Sequence, residues 1–431
     1  MGVAPVWSTV VARSLPELGG LRPDRLLRRL VDLLGPTGGA ARQSLVALAF
    51  NSVTSFGAGV MLVAFIDDWK ALPPMLILVP AAIGLRGNVF ATFGNRLSTA
   101  IHTGTFRFSA RSDTVLGQNL IAAFSLTTLM SVLLAVFAKV IAIAIGVEDS
   151  LPMLELIAIS VVGGVIGSLV VAAATVGLTR AAVRYEWDLD NLVAPTVSTL
   201  GDVVTIPALW FAAKWLAGAP ATEAIGGVLV VVAVAVSWWC WRSPHELLRQ
   251  VFRESTPVLA AALVLSALAG VVLQKQQNLL AELPAIGVLV PAFVSSAGAL
   301  GGILCGRVAT NLHLGSVEPT MAPGPEARRD ASLVLSLAAP LVLLNAVGAW
   351  AVSSLALGDG APGFWWVLLA ASVASVVTML FVTAVAYYST IGAWKVNVDP
   401  DSYGVPIVTA SVDFVGTLAL VFAVVSLGLM S

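Results

Sequence analysis

The sequence predicts an all-α, polytopic membrane protein: about 11 transmembrane helices, arranged as two parallel five-helix repeats that a linker helix joins into a pseudo-dimer. Three observations predict it. Apolar residues make up 58% of the chain and charged residues only 11%, with a mean hydropathy of +0.94; soluble domains carry roughly a quarter charged residues. Eleven apolar segments are long enough to cross a bilayer, which takes about 20 residues each. And the second half repeats the first at a fixed offset of 211 positions (413 − 202, for example).

In chain order, residues 1–43 read as a cytoplasmic segment. They lack the continuous apolar core of a cleavable signal and carry Arg13, Arg22, Arg25, Arg28 and Arg29. Within them Pro23–Leu34 is an expected amphipathic helix on the membrane surface, with Leu26, Leu27, Leu30, Val31 and Leu34 on one side; a basic tail without fixed structure is the competing reading. The first repeat, 44–219, holds the expected spans Ser44–Ile66, Pro74–Ala100, Leu116–Ile145, Leu151–Ala182 and Val193–Leu216. A linker, 220–254, holds Ala224–Trp241 and a cytoplasmic loop. The second repeat, 255–431, holds Pro257–Leu273, Ile286–Asn311, Ala331–Leu355, Phe364–Ile391 and Gly404–Met430.

The loops support this count. With the N-terminus inside, the inner loops hold Arg107, Arg111, Arg180, Arg184, Arg242, Arg249, Arg253, Arg328, Arg329 and Lys395, while the outer loops are mainly acidic. That bias toward basic inner loops stays in phase along the whole chain and places the C-terminus outside the cell membrane. The offset supports the repeat: Leu72–Ala81 matches Leu283–Ala292, and Gly87, Arg96, Thr99, His102 and Gly104 match Gly298, Arg307, Thr310, His313 and Gly315. Five helices per copy would invert the second copy. The linker helix, ending in Trp238-Trp239-Cys240-Trp241, restores the direction, so the pseudo-twofold axis runs along the membrane normal.

The candidate site comes from the same repeat. Asp188, Asp190, Pro195, Val197 and Asp202 correspond to Asp399, Asp401, Pro406, Val408 and Asp413. An acid inside an apolar span is costly and marks an ion or proton path by default. If the fifth helix of each repeat starts near its proline, Pro195, Ser198 and Asp202 form one stripe, and Pro406, Thr409 and Asp413 repeat it. Two such carboxylates facing one another repel, and a divalent cation offsets both charges. A protonated pair, or hydrogen bonding within each half, is the structural alternative. Asp188, Asp190, Asp399 and Asp401 belong at the cytoplasmic mouth, either gathering cations or complementing a helix N-terminus.

Other polar residues rank lower. Lys139, Glu155, Asn51 and Arg86 lack equivalents (Trp350, Trp366, Ala262 and Ala297 stand opposite) and are expected to be structural, reaching the interface. Asn88 has only Ala299 opposite it, so any ligand role is asymmetric. The glycines of the second helices, Gly84, Gly87, Gly94, Gly298, Gly301, Gly302 and Gly306, allow either close helix packing or a helix break that offers carbonyls to an ion. Arg96, Arg307, His102 and His313 are expected to be structural at the pore mouth. Net charge is −1, which implies no nucleic-acid partner. Cys240 and Cys305 form no disulfide framework or zinc motif, and three scattered histidines make no metal cluster.

The stretch Val79–Asn88, with Asn95–Gly104, resembles the signature of the SLC41 divalent-cation transporters, relatives of the MgtE magnesium channels; Asp399–Asp413 resembles the fifth-helix motif of that superfamily. The resemblance spans most of residues 44–431 and implies two fused MgtE-like units with a cation path on their shared axis. It implies that Asp202 and Asp413 hold hydrated Mg²⁺, and that Asp188 and Asp399 match the acid at the cytoplasmic end. Ser295-Ser-Ala-Gly-Ala299 departs from the Gly-Asn pair expected there. The segment before the first span is too short for MgtE-like Mg²⁺-sensing domains, so gating is expected to use the membrane domain. The expected metal set is therefore Asp202, Asp413, Ser198, Thr409, Asp188, Asp399, Asp190, Asp401 and Asn88, with Mg²⁺ as the transported ion, Mn²⁺ or other divalents as further substrates and Na⁺ as a candidate coupling ion. The partners are the ion and the lipid bilayer, and one chain suffices as a pseudo-dimer. Two rivals stand: a Mg²⁺-dependent membrane transferase using the Asp188-x-Asp190 and Asp399-x-Asp401 motifs, and a proton-coupled solute carrier.

Overall fold

The computed structural model describes residues 38–147, 150–185, 189–357, 362–396 and 400–428, with side chains described for all of these except 38–44, 102, 189–195, 356–357 and 400–402. The expected surface helix at 23–34 lies outside the described residues, as do Asp188 and Asp399. Residues 47–431 form one compact unit and residues 1–46 another, of which only the start of the first helix is described.

Among the described residues the structure is entirely helical. The first repeat comprises α1 (Gly38–Ala64), the short α2 (Ile66–Ala71), α3 (Met75–His102), α4 (Val115–Ala144), α5 (Met153–Tyr185) and α6 (Leu189–Leu216). The linker is α7 (Thr222–Trp241). The second repeat comprises α8 (Glu246–Lys275), the short α9 (Gln277–Glu282), α10 (Pro284–His313), α11 (Pro325–Leu357), α12 (Phe364–Lys395) and α13 (Pro400–Ser426). Eleven of these helices are long and apolar enough to cross a membrane. The offset of 211 reproduces helix bounds: α2 falls on α9 at both ends, and α6 and α13 begin in register.

Three expectations about helix form are corrected. The fifth helices do not start at Pro195 and Pro406; they start at Leu189 and Pro400 and carry those prolines inside. A proline costs one backbone hydrogen bond and crowds the carbonyl four residues back, which membrane helices tolerate when neighbours satisfy the freed group. Asp202 therefore sits thirteen residues into α6, about 20 Å along its axis at 1.5 Å per residue, rather than the roughly 10 Å that a start at Pro195 gives. Of the two readings of the glycines, a helix break does not occur: α3 and α10 run unbroken through them, as close packing requires. Helices α8 and α11 begin well before Pro257 and Ala331. The first turns of α8 are amphipathic, with Leu248, Val251 and Phe252 buried beside exposed charges, and those of α11 carry Glu326, Arg328, Arg329 and Asp330, so neither stands out as an apolar run.

The two repeats exchange their first helices. Helix α8 packs on α3, α4 and α13. In the other direction α1 meets α10: a methyl group built on Gly59 would fall 2.5 Å from the Val288 carbonyl oxygen, and one on Gly270 would fall 2.4 Å from that of Ile77. Gly59 and Gly270 are equivalent, as are Ile77 and Val288, so one close backbone crossing occurs twice. The surroundings of the two crossings differ. On the α1 side, Ser52 Oγ lies 2.8 Å from Ser296 Oγ, and Asn345 Nδ2 donates to Ser296 Oγ at 3.1 Å, all three residues buried. The matching positions on the α8 side are Leu263, Leu85 and Leu134, also buried. Hydrogen bonds fix one junction directionally, while the other rests on non-directional apolar packing.

Helix α7 packs on α5, α4 and α8 and leaves most of its apolar surface exposed. Arg242 and Arg253 stack over Trp238 and Trp241, at 4.0 and 5.4 Å. Near the opposite end of the bundle, Asp68 of α2 accepts hydrogen bonds from Lys214 Nζ at 2.5 Å and Trp210 Nε1 at 2.6 Å, and these two donors hold its carboxyl below the usual range.

Replacing Gly59 or Gly270 by valine should destabilise the protein by at least the 1–3 kcal/mol typical of overpacking, since backbone atoms cannot withdraw as a side chain can. The apparent melting temperature of detergent-purified protein checks this, with both variants several degrees below the parent. An unchanged value in either would contradict the close crossing.

Candidate cation site

Helices α3, α6, α10 and α13, with Asn51 and Leu62 of α1 and Leu273 of α8, line a cavity of about 240 Å³ between the repeats. Its lining obeys the internal symmetry. Val79, Pro80, Ile83, Gly84, Gly87, Asn88, Ala91, Ser198 and Asp202 all face it, and so do their equivalents Val290, Pro291, Val294, Ser295, Gly298, Ala299, Gly302, Thr409 and Asp413. Asp202, Asp413, Ser198, Thr409 and Asn88 are thus brought together at one place. Asp190 and Asp401 lie in the first turns of α6 and α13, with side chains outside the described set.

Each aspartate is held by a serine from a first helix. Ser55 of α1 donates to Asp202 Oδ2 at 3.4 Å, and Ser266 of α8 donates to Asp413 Oδ2 at 2.5 Å. These serines are themselves 211 positions apart, each four residues ahead of a crossing glycine, so the shared Ser-x-x-x-Gly pattern was a legible signal that sequence reasoning passed over. Gly87 and Gly298 bring α3 and α10 close to Ser198 and Thr409: a methyl group built on them would lie 3.2 Å from Ser198 Oγ and 3.5 Å from Thr409 Cγ2. Asn88 reaches across to the second repeat, where Thr409 Oγ1 donates to its Oδ1 at a long 3.5 Å.

Two of the residues expected to be purely structural stand elsewhere. Asn51 does not reach the interface; it lines the cavity, and its Nδ2 donates to Ser295 Oγ at 2.9 Å. Ser295 Oγ in turn lies 3.2 Å from Asp202 Oδ2. Arg86 does not reach the interface either. It is 2% exposed, packs against Gly167, and donates through Nη2 to the Gly163 carbonyl at 3.1 Å, while Nε and Nη1 lack a partner among the described residues. Lys139 and Glu155 do tie down loops: Lys139 Nζ donates to the Leu151 carbonyl at 2.7 Å, and Glu155 Oε1 accepts from Gly218 N at 2.7 Å.

Arg96 and Arg307 join neighbouring helices of their own repeats, away from the aspartates. Arg307 Nε donates to Asp330 Oδ1 at 2.7 Å, and Arg96 Nη1 donates to Asn119 Oδ1 at 3.0 Å, at equivalent positions. His313 Nδ1 lies 2.8 Å from the Ala309 carbonyl and packs edge-on to Trp394; the His102 side chain is outside the described set. No cluster of three or more His, Cys, Asp or Glu forms among the described residues. The cavity offers two carboxylates surrounded by hydroxyls and amides, a set of oxygen ligands suited to a hard cation that retains water.

Eleven candidate membrane spans, with a cavity walled by two copies of one helical unit, define a polytopic membrane protein made by internal duplication. A family model described as "MgtE: Divalent cation transporter" matches the chain twice, over residues 79–212 and 290–423, the same offset that relates the helices. The chain belongs to this family of divalent cation transporters. Solute carrier family 41 member 2 of Xenopus laevis is 26% identical over 407 residues, covering 88% of this chain and 70% of that protein. The human member 2 is 25% identical over 413 residues, covering 89% and 70%. Member 3 of Mus musculus is 23% identical over 423 residues, covering 91% and 86%. Among solved structures, the eukaryotic MATE transporter AtDTX14 aligns with a TM-score of 0.28 and 11% identity over 90% of this chain and 96% of that one, a likeness too slight to bear on the fold. The protein is thus a multi-pass membrane transporter for divalent cations and not an enzyme, which sets aside the transferase reading.

Asp330→Ala should strand the Arg307 guanidinium and cost on the order of 2–3 kcal/mol, the lower end for a broken buried pair because Arg307 is partly exposed. Asn119→Ala should cost about 1.5 kcal/mol, the lower end for a hydrogen bond to a charged group, since Arg96 loses one acceptor and no counter-charge. Thermal unfolding of the two variants should rank them in that order; equal or reversed losses would contradict the ion-pair assignment.

Proposed function

We propose that the protein carries Mg²⁺, largely hydrated, through the axial cavity, with Asp202 and Asp413 as the paired anionic ligands and Ser198, Thr409 and Asn88 as acceptors for the ion's water. The observation that carries this is the presence of both aspartates, at equivalent positions, on one cavity between the repeats. Magnitudes favour a divalent ion. Two unit charges ~8 Å apart repel by about 2 kcal/mol at an effective dielectric of ~20, whereas a divalent ion midway attracts each by about 8 kcal/mol and a monovalent ion by half that. Mg²⁺ sheds water reluctantly and needs few direct carboxylates. Softer divalents favour His or Cys, neither of which lines this cavity; Mn²⁺ fits the same oxygen set.

Asp188, Asp190, Asp399 and Asp401 stand at or just before the starts of α6 and α13, and in this reading they gather cations at the cytoplasmic mouth. The basic loops support an orientation with the N-terminus in the cytoplasm and the C-terminus outside. One chain supplies both walls, so a monomer is sufficient for the path.

Mg²⁺ flux into liposomes with an entrapped indicator, with and without a Na⁺ gradient, tests the reading. Asp202→Asn and Asp413→Asn should each slow flux at least tenfold, and the double variant should abolish it. Near-normal flux in the double variant would remove the aspartates from the path. Flux that requires Na⁺ would establish an exchanger, and flux that follows pH and ignores Mg²⁺ would establish the proton-coupled carrier instead.

A further inference from the structure

The two halves of the cavity are not equivalent. Asp202 Oδ2 is approached by hydroxyls from both repeats, Ser55 on α1 and Ser295 on α10. Ser295 is itself held by the Asn51 amide, whose Nδ2 donates to its Oγ at 2.9 Å, and its own proton faces two acceptors, Asp202 Oδ2 at 3.2 Å and Asn51 Oδ1 at 3.3 Å. At Asp413 a single bond is made among the described residues, from Ser266 at 2.5 Å, shorter than the two at 3.4 and 3.2 Å that converge on Asp202 from different helices. The residue equivalent to Ser295 is Gly84, whose added methyl group would lie 3.2 Å from Asp413 Oδ2, and the residue equivalent to Asn51 is Ala262. Asp202 is buried and Asp413 half-buried.

We infer that Asn51 and Ser295 are positioning residues that fix Asp202 as the stationary ligand, and that Asp413, free to turn about one hydrogen bond, is the ligand that adapts as the ion enters and leaves. This rests on the reading of the cavity as the ion path. The helix junctions agree with it. The α1 side carries the directional Ser52, Ser296 and Asn345 network, whereas the α8 side carries three leucines that can slide. A carboxylate tied from two helices and backed by a hydrogen-bonded junction keeps its position at low cost in entropy. A carboxylate on one hydroxyl beside a glycine keeps its rotamers open. A transport site needs both properties, since an ion held rigidly on both sides leaves slowly.

Exchanging the differences between the halves tests the inference. Mg²⁺ flux is measured in liposomes against Mg²⁺ concentration for Ser295→Gly, Gly84→Ser, Asp202→Glu and Asp413→Glu. Ser295→Gly should raise the half-saturating concentration three- to tenfold with maximal flux nearly unchanged. Gly84→Ser should give Asp413 a second hydroxyl, lowering the half-saturating concentration and slowing maximal flux severalfold. Asp413→Glu should keep at least a tenth of parental flux while Asp202→Glu keeps none. Equal behaviour of the two glutamate variants, or shifts in the same direction for Ser295→Gly and Gly84→Ser, would overturn the inference. If Ser295→Gly is not monodisperse, Ser295→Ala removes the same hydroxyl and is held to the same outcome. Equivalence of the halves while both single asparagine variants are impaired would overturn this inference alone. Normal flux in the double asparagine variant would overturn the path itself.

Discussion

Two carboxylates on one intramembrane cavity repel one another, and the rest of the structure is arranged around that repulsion. Translocon-derived scales put an acid at a helix centre at about 2.5–3.5 kcal/mol, so the pair is costly before repulsion is added. The fold does not relieve the pair with a lysine or arginine among the cavity's lining residues. Arg86, the nearest candidate in sequence, is turned away into the α3–α5 contact at Gly163 and Gly167. The cavity instead surrounds the acids with hydroxyls and amides, which orient the charge without neutralising it. In the proposed reading the neutralising charge comes from outside as a divalent cation, rather than from a proton on one of the acids.

The exchanged first helices supply the geometry. Because α1 crosses α10 and α8 crosses α3 at Gly59 and Gly270, each brings a serine one turn away to the aspartate of its own repeat. The same close crossing that locks the repeats together therefore also sets the orientation of the acids. Duplication within one chain then allows what a symmetric pair of identical subunits does not: the two walls can diverge. They have done so at Asn51, Gly84 and Asn88 against Ala262, Ser295 and Ala299, all close to the cavity, and again at the Ser52–Ser296–Asn345 junction against three leucines.

Much of this was legible in the sequence, because apolar length counts helices and the 211-residue offset pairs residues. The offset singled out Asp202 and Asp413 without coordinates, and the odd helix between the repeats implied the parallel arrangement. What escaped was determined by packing across the repeats. Asn51 has no equivalent and so failed the symmetry filter, although it contacts the cavity through Ser295, a residue of the other half. Ser55 and Ser266 passed the filter but are ordinary residues in an apolar helix, and only the exchange of first helices places them on the acids. The prolines misled because Pro195 and Pro406 look like helix starts, whereas the helices begin at Leu189 and Pro400.

The central claim is that one hydrated divalent ion sits between the two halves. The most direct measurement is the position of Mn²⁺, by anomalous diffraction from crystals grown with the ion. The expected result is one peak near the pseudo-twofold axis, about 4 Å from both Asp202 and Asp413 with water between, as for an ion that retains its inner shell, and its loss in Asp202→Asn. A peak bound directly to one carboxylate, or one lying outside the cavity and indifferent to both aspartates, would contradict it.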